Sequence, residues 1–330
     1  MPQIITRQQL LALIDSLLEA GTKVATPVAR GEKAFFQYLE KGDAPLIDPA
    51  VFPVNSTKEF FFPRHEILYT FERQGTEVLV TDARPFVAPQ VVLGARPCDA
   101  AALPLMDRVF GWDFQDRFYQ SRRENTTVVS LACAAPDAGC FCTSVDLSPE
   151  TQAGADAELL PIDDDTFEVR VFTEKGRILF GGKTSESDKT GRTGAAPDRK
   201  FDAAQIRERL QTAFETPAFF SEAAVRCLGC GACTYVCPTC HCFDMVDEGS
   251  VDKGRKVKNW DSCQFALFTH HASGHNPRHD QGERQRQRVL HKFSIYPEKF
   301  GVLLCTGCGN CVRGCVDGLG IRPVLEEIAK

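Results

Sequence analysis

The chain of 330 residues is first narrowed by what it lacks. No apolar run approaches the eighteen residues that a membrane-spanning helix needs. The N-terminus has no charged n-region and no twin arginine, and its apolar run Leu10–Leu18 is broken by Asp15. No secretory leader is therefore expected, and the reading is a cytoplasmic protein. Positive charge is not in excess: the formal net charge is −6 and the pI about 5.7. That balance argues against nucleic acid as the main partner. Three loops are also missing: a G-x-G-x-x-G after a strand, a G-x-x-x-x-G-K phosphate loop and a G-x-S-x-G elbow. The chain thus offers no recognisable dinucleotide, nucleoside-triphosphate or hydrolase site of its own.

Cysteine is what it has. Two runs near the C-terminus carry most of the pattern: C-L-G-C-G-A-C-T-Y-V-C-P, with Cys227, Cys230, Cys233 and Cys237, and C-T-G-C-G-N-C-V-R-G-C-V, with Cys305, Cys308, Cys311 and Cys315. Both have the C-x2-C-x2-C-x3-C spacing of a bacterial ferredoxin loop. Small residues between the first three thiols let the backbone wrap one corner of a cubane. The fourth cysteine faces away and, in two-cluster proteins, ligates the other cluster. This assigns Cys227, Cys230, Cys233 and Cys315 to one 4Fe–4S cluster, and Cys305, Cys308, Cys311 and Cys237 to a second. Local ligation, each run closing its own cluster, stays open because a long insert separates the runs. Zinc knots fit less well, since zinc hooks are paired C-x2-C units set further apart.

Four more cysteines lie in the N-terminal half: Cys98, Cys133, Cys140 and Cys142. Cys98 and Cys133 each follow a predicted strand, at the end of an α/β sheet where ligands bind. Convergence of all four predicts a third iron–sulfur cluster, 4Fe–4S ahead of 2Fe–2S or zinc; the alternative is a set of buried free cysteines. Cys240, Cys242 and Cys263 lie in the insert with six of the seven histidines, which leaves a Cys3His zinc site conceivable there.

The rest of the chain reads as an α/β (α+β) domain over residues 1–200. A split, mostly helical, two-cluster ferredoxin-like domain follows over 201–330, interrupted by the insert 238–304. A helix capped by Thr6 carries the stripe Leu10–Leu18 and ends at Gly21. Strands are expected at Val78–Thr81, Val91–Leu93 and Thr126–Leu131, with a helix over Asp99–Phe110. Residues 166–180 read as a hairpin turning at Glu174-Lys175-Gly176, and 183–200 as an exposed loop or linker. Asp202 caps a helix that places Ile206, Leu210 and Phe214 on one face. Glu283–Phe293 reads as a basic helix with a solvated face, or a docking surface for an acidic partner. The cluster half is mildly basic, with 14 Lys and Arg against 12 Asp and Glu in residues 221–330, as buried thiolates require.

These motifs together resemble the iron–sulfur beta subunit of cytoplasmic NAD(P)-linked hydrogenases, the sulfhydrogenases. That family shares its architecture with the A subunit of anaerobic sulfite reductase and the B subunit of heterodisulfide-reductase-linked flavin oxidoreductases. The resemblance rests on K-E-F-F-F-P-R-H-E (58–66), G-A-R-P-C-D-A-A-A-L (94–103), R-R-E-N-T (122–126), L-A-C with C-F-C-T-S (131–144), C-L-G-C-G-A-C-T-Y-V-C-P-T-C-H-C-F (227–243), N-W-D-S-C (259–263), A-S-G-H-N-P-R (272–278) and the last cysteine run. Val316 departs from it, standing where a proline is usual. The resemblance implies a non-catalytic electron-transfer subunit. One partner would be an FAD- and NAD(P)-binding flavoprotein subunit, the other a redox subunit of hydrogenase, heterodisulfide reductase or sulfite reductase type. On the residues alone, a self-sufficient reductase of a sulfur compound and a zinc-bound scaffold remain as rival readings.

Overall fold

A computed structural model describes residues 1–83 and 87–330. Twelve strands are described: β1 (Gln3–Thr6), β2 (Lys23–Arg30), β3 (Lys33–Tyr38), β4 (His65–Gln74), β5 (Glu77–Asp82), β6 (Gln90–Ala95), β7 (Thr126–Leu131), β8 (Ala157–Pro161), β9 (Thr166–Val171), β10 (Ser185–Glu186), β11 (Phe243–Gly249) and β12 (Lys253–Trp260). Eight of them form one sheet in the order β10-β1-β9-β8-β7-β6-β2-β3. Its centre, β2-β6-β7-β8, is parallel, and antiparallel strands close both sides.

β6 is buried at every position because both faces of the sheet are covered. Val91 and Leu93 point to a core with Leu10, Leu13 and Ile14 of the helix Arg7–Glu19, while Val92 points to a second core with Phe60, Phe61, Phe62 and Leu103. The first helix starts as the sequence indicates: the Thr6 hydroxyl accepts from the Gln9 backbone, and the Gln9 side chain accepts from Thr6 in return. The strands at 91–93 and 126–131 and the helix after Asp99 are also present, the helix broken at Ala101 into Pro97–Ala100 and Ala102–Phe110.

Four expectations are corrected. Residues 166–180 are not a hairpin: β9 pairs with β8, and Thr173 caps the helix Glu174–Phe180. Thr173 Oγ1 accepts from the Gly176 backbone, so the residues taken for a turn form a first helical turn. The strand around Val78 exists as β5 but belongs to a second, antiparallel sheet, β11-β12-β4-β5, where its residues are exposed. Residues 183–200 are not a free linker. Ser185 and Glu186 pair with β1, the Gly194 amide donates to Cys133 O, and Pro197 O accepts from the Thr143 hydroxyl. Those contacts are mostly made by backbone, which leaves no apolar period to read. On the helix Ala203–Glu215, Ile206 and Leu210 are buried but Phe214 is exposed under the Arg286 guanidinium.

The second sheet joins sequence from both sides of residue 200, since β12 pairs with β4. Lys258 of β12 is buried and lies 2.8 Å from Glu66 Oε2 and 2.9 Å from Asp116 Oδ2, and Arg122 pairs with the same Glu66. Removing one member of a buried ionic group strands the others. Lys258→Met is expected to destabilise the fold by about 3 kcal/mol, read as a lower midpoint of thermal unfolding. An unchanged midpoint would remove this ionic group from the account of the fold. Among the described residues, no helix is long and apolar enough to cross a membrane.

Candidate metal centre

Parallel pairing of β6 with β7 brings their C-terminal ends side by side, with Ala95 opposite Ser130. Cys98 and Cys133 follow those ends and line one cavity together with Cys140 and Cys142. All four N-terminal candidates therefore meet. Asp137 holds the loop that carries the last two, accepting from the amides of Gly139 and Cys140 and from Cys140 Sγ at 3.2 Å.

The C-terminal cysteines line two further cavities. One has Cys227, Cys230 and Cys233 of the first run and Cys315 of the second. The other has Cys305, Cys308 and Cys311 of the second run and Cys237 of the first. Each run thus sends its fourth cysteine into its neighbour's cavity. Among the described residues, no three His, Cys, Asp or Glu side chains converge on a single-ion position, so the Cys3His zinc site conceivable for the insert is not assembled. Thiols that grip a cubane are instead spread around it, each on its own iron.

The cavities are contiguous. Cys308 lines both the N-terminal cavity and the cavity of Cys305, and Arg288 lines both C-terminal ones. Close backbone packing makes the first junction. Gly307 has φ +62°, and a Cβ there would stand 2.5 Å from Cys142 Cα; Gly309, at φ +76°, would meet Gly139 C at 2.6 Å. The Phe141 amide donates to Gly307 O at 2.9 Å, and the Arg313 guanidinium sits 2.8 Å from Asp137. Glycine is required at both points by conformation and by contact. Gly307→Ala is expected to cost about 2 kcal/mol or more and to part the two cysteine loops, read as a lower unfolding midpoint with less iron bound. Wild-type values for both would mean that the junction tolerates a side chain.

Burial disfavours the thiolate form of at least one cysteine in each cavity. Burial pushes the thiols of Cys140 up to about 11 and of Cys233 and Cys305 up to about 12, and pushes Cys98 and Cys308 well above the ordinary range. Thiols so placed lose their protons readily only to a metal, which supplies the charge that burial removes. Cys237 goes the other way: a hydrogen bond from Cys240, and the charge of Lys292, hold it well below the usual thiol range.

The structure also shows residues that motif spacing missed. Lys58 is buried in the K-E-F-F-F-P stretch, donates to Thr234 O at 3.1 Å and Cys240 O at 3.0 Å, and lies 3.8 Å from the Trp260 ring centre. Burial lowers it to about 8. The basic helix predicted over 283–293 is the clearest correction, since its polar residues are not a solvated face. It runs Gln281–Leu290 and continues as a π-helical turn, His291–Ile295, with Arg284, Gln285, Arg288 and Lys292 buried. Gln285 Nε2 donates to Cys227 Sγ at 3.3 Å and Lys292 Nζ to Cys237 Sγ at 3.5 Å. The available signal was Val289, Phe293 and Tyr296, apolar residues flanking the charges and buried with them. His241 and His291 face each other with ring centres 5.4 Å apart, and burial lowers them to about 4 and about 3.

Comparison with known proteins agrees with the cysteine pattern. Residues 226–319 match the family model described as a 4Fe–4S dicluster domain. The chain is 28% identical over 325 residues to the sulfhydrogenase 2 subunit beta of Pyrococcus furiosus, covering 94% of this chain and 93% of that protein. No solved structure matches. The resemblance read from the motifs therefore extends along almost the whole chain.

Proposed function

We propose that this chain, an iron–sulfur protein resembling a sulfhydrogenase beta subunit, conducts electrons through three contiguous 4Fe–4S sites between two other redox subunits. Bound clusters would supply one-electron chemistry; the chain supplies their spacing, burial and hydrogen bonds. The observation that carries the reading is the contiguity of the three cysteine-lined cavities, joined at Cys308 and at Arg288. Crossed ligation is supported by which cysteines share a cavity: Cys227, Cys230, Cys233 and Cys315 in one, Cys305, Cys308, Cys311 and Cys237 in the next. Cys98, Cys133, Cys140 and Cys142 would hold the third. The N-terminal site is built from cysteines before residue 200 and the dicluster pair from cysteines after it, though one sheet spans that point.

The chain's residues give this path two unlike ends. At one, Phe52, Pro53 and Pro197 help to close the N-terminal cavity against the α/β sheet. At the other, Cys230 is exposed, with Leu228 at 75% and Val316 at 87% exposure beside it. Exposed apolar side chains around a redox site suit docking of another protein. By the resemblance, the partners are an FAD- and NAD(P)-binding flavoprotein and a redox subunit of hydrogenase, heterodisulfide reductase or sulfite reductase type. The flavoprotein would bring the nucleotide site that the sequence motifs do not provide.

Anaerobically purified protein is expected to carry about twelve iron atoms per chain, four for each of three cubanes. A content near eight would remove the N-terminal cluster. Cys98→Ser should abolish one EPR signal and spare the dicluster pair. Loss of every signal in that variant would instead mark a folding defect, to be checked by its unfolding midpoint.

A further inference from the structure

Gln281, Gln285, Arg288 and Lys292 follow one another at steps of four, three and four residues, which sets them on one stripe of their helix. The stripe runs beside the two C-terminal cavities. Gln285 and Arg288 line the cavity of Cys227, and Arg288 and Lys292 line the cavity of Cys305. Arg288 is the member common to both. It is only 2% exposed, and Nη1 donates to Gly320 O at 3.1 Å, while Nε and Nη2 are buried without a partner among the described residues. Lys292 is satisfied differently, by Thr239 Oγ1 at 2.8 Å, Leu304 O at 3.0 Å and Cys237 Sγ.

A buried guanidinium with idle donors is unstable unless acceptors and negative charge face it. Here the neighbouring space on either side is lined by thiols, and sulfur of a thiolate-bound cluster is both an acceptor and anionic. Its planar fork of donors can serve two directions at once, which a lysine ammonium on one side cannot. Adding an electron to either site adds negative charge, which a nearby buried cation favours; hydrogen bonds to sulfur act in the same direction.

We propose that Arg288 is a charge shared by the two dicluster sites, its free Nε–H and Nη2–H donating to cluster sulfur so that one residue raises both reduction potentials together. The inference rests on the reading that both cavities hold 4Fe–4S clusters. It adds that their potentials are coupled through a side chain outside the cysteine motifs. Lys292 is the internal control, since it lines one of the two cavities only.

The test uses the full chain purified anaerobically, as wild type, R288Q, R288K and K292M, with iron analysis and an EPR-monitored redox titration of each. R288Q with wild-type iron is expected to lower the midpoints of both dicluster signals by a factor of ten or more in the one-electron equilibrium, about 59 mV each. R288K should lower both by less, K292M should lower one, and all three should leave the N-terminal signal within half that change. A shift confined to one dicluster signal in R288Q, or none, overturns the proposal. So does a fall of iron in R288Q and R288K alike with the surviving signals at wild-type potential, the mark of a packing role. If the wild type itself lacks two dicluster signals, the cluster reading has failed and not this inference alone.

Discussion

Eight thiols gathered around two neighbouring cavities are the hardest thing this fold has to accommodate. Burial disfavours the thiolate forms of Cys233, Cys305 and Cys308, and neighbouring sulfurs oppose them further. A structure can tolerate that only if positive charge is buried with them. The chain answers with Arg288 and Lys292 on one helix. Burial works against the charge on both, and the surrounding cysteines override it: Cys233 and Cys311 lead for Arg288, Cys237 and Cys240 for Lys292. Much of the insert between the cysteine runs can be understood from this requirement. Its second half is the helix that delivers the two cations, and its first half is the β11–β12 hairpin that fastens the cluster region to β4.

That fastening explains why the two halves of the chain are hard to treat separately. Trp260 closes β12, stacks near Phe62 and receives the Lys58 ammonium on its ring, while its indole N–H donates to Phe62 O at 3.0 Å. Tyr235, inside the first cysteine run, donates its hydroxyl to Trp260 O. A run of aromatic residues in the N-terminal half thus sets the position of a cysteine loop almost two hundred residues later. The junction at Gly307 and Gly309 does the same from the other side. Small displacements at either contact would change the distance between redox sites, and electron transfer depends steeply on that distance.

Most of the site was legible because cysteine spacing is a local code. C-x2-C-x2-C-x3-C states which thiols share a loop, and the strand-then-cysteine pattern at Cys98 and Cys133 indicates a sheet edge. The helix at Arg7–Glu19 and the buried strands β6 and β7 were legible for a similar reason, since caps and periodicity lie within a few residues. What escaped was long-range. Residues 183–200 are held mainly by backbone hydrogen bonds, and β5 reads as a strand without saying which sheet it joins. Residues 166–180 carry strand-forming residues, but Thr173 caps a helix. Arg288 and Lys292 look solvated because charge normally is; only tertiary placement beside thiols reverses that expectation.

The order of the three cavities gives a reason for those buried cations to sit where they do. On the reading proposed for this chain, an electron arriving at the N-terminal site meets Cys308 first and Arg288 second. The N-terminal cavity has Arg96 and Arg313 in its lining, and the Asp99 carboxyl there is raised by burial to about 6. Positive charge therefore accompanies each site. A path made of three stations works when their potentials lie close together, because a station far below its neighbours holds the electron and one far above refuses it. A cation shared by two stations would shift both in the same direction, so a change in that residue would move their level without opening a gap between them. On the proposed reading, the insert's helix would do more than neutralise charge: it would move adjacent steps of the path together rather than apart.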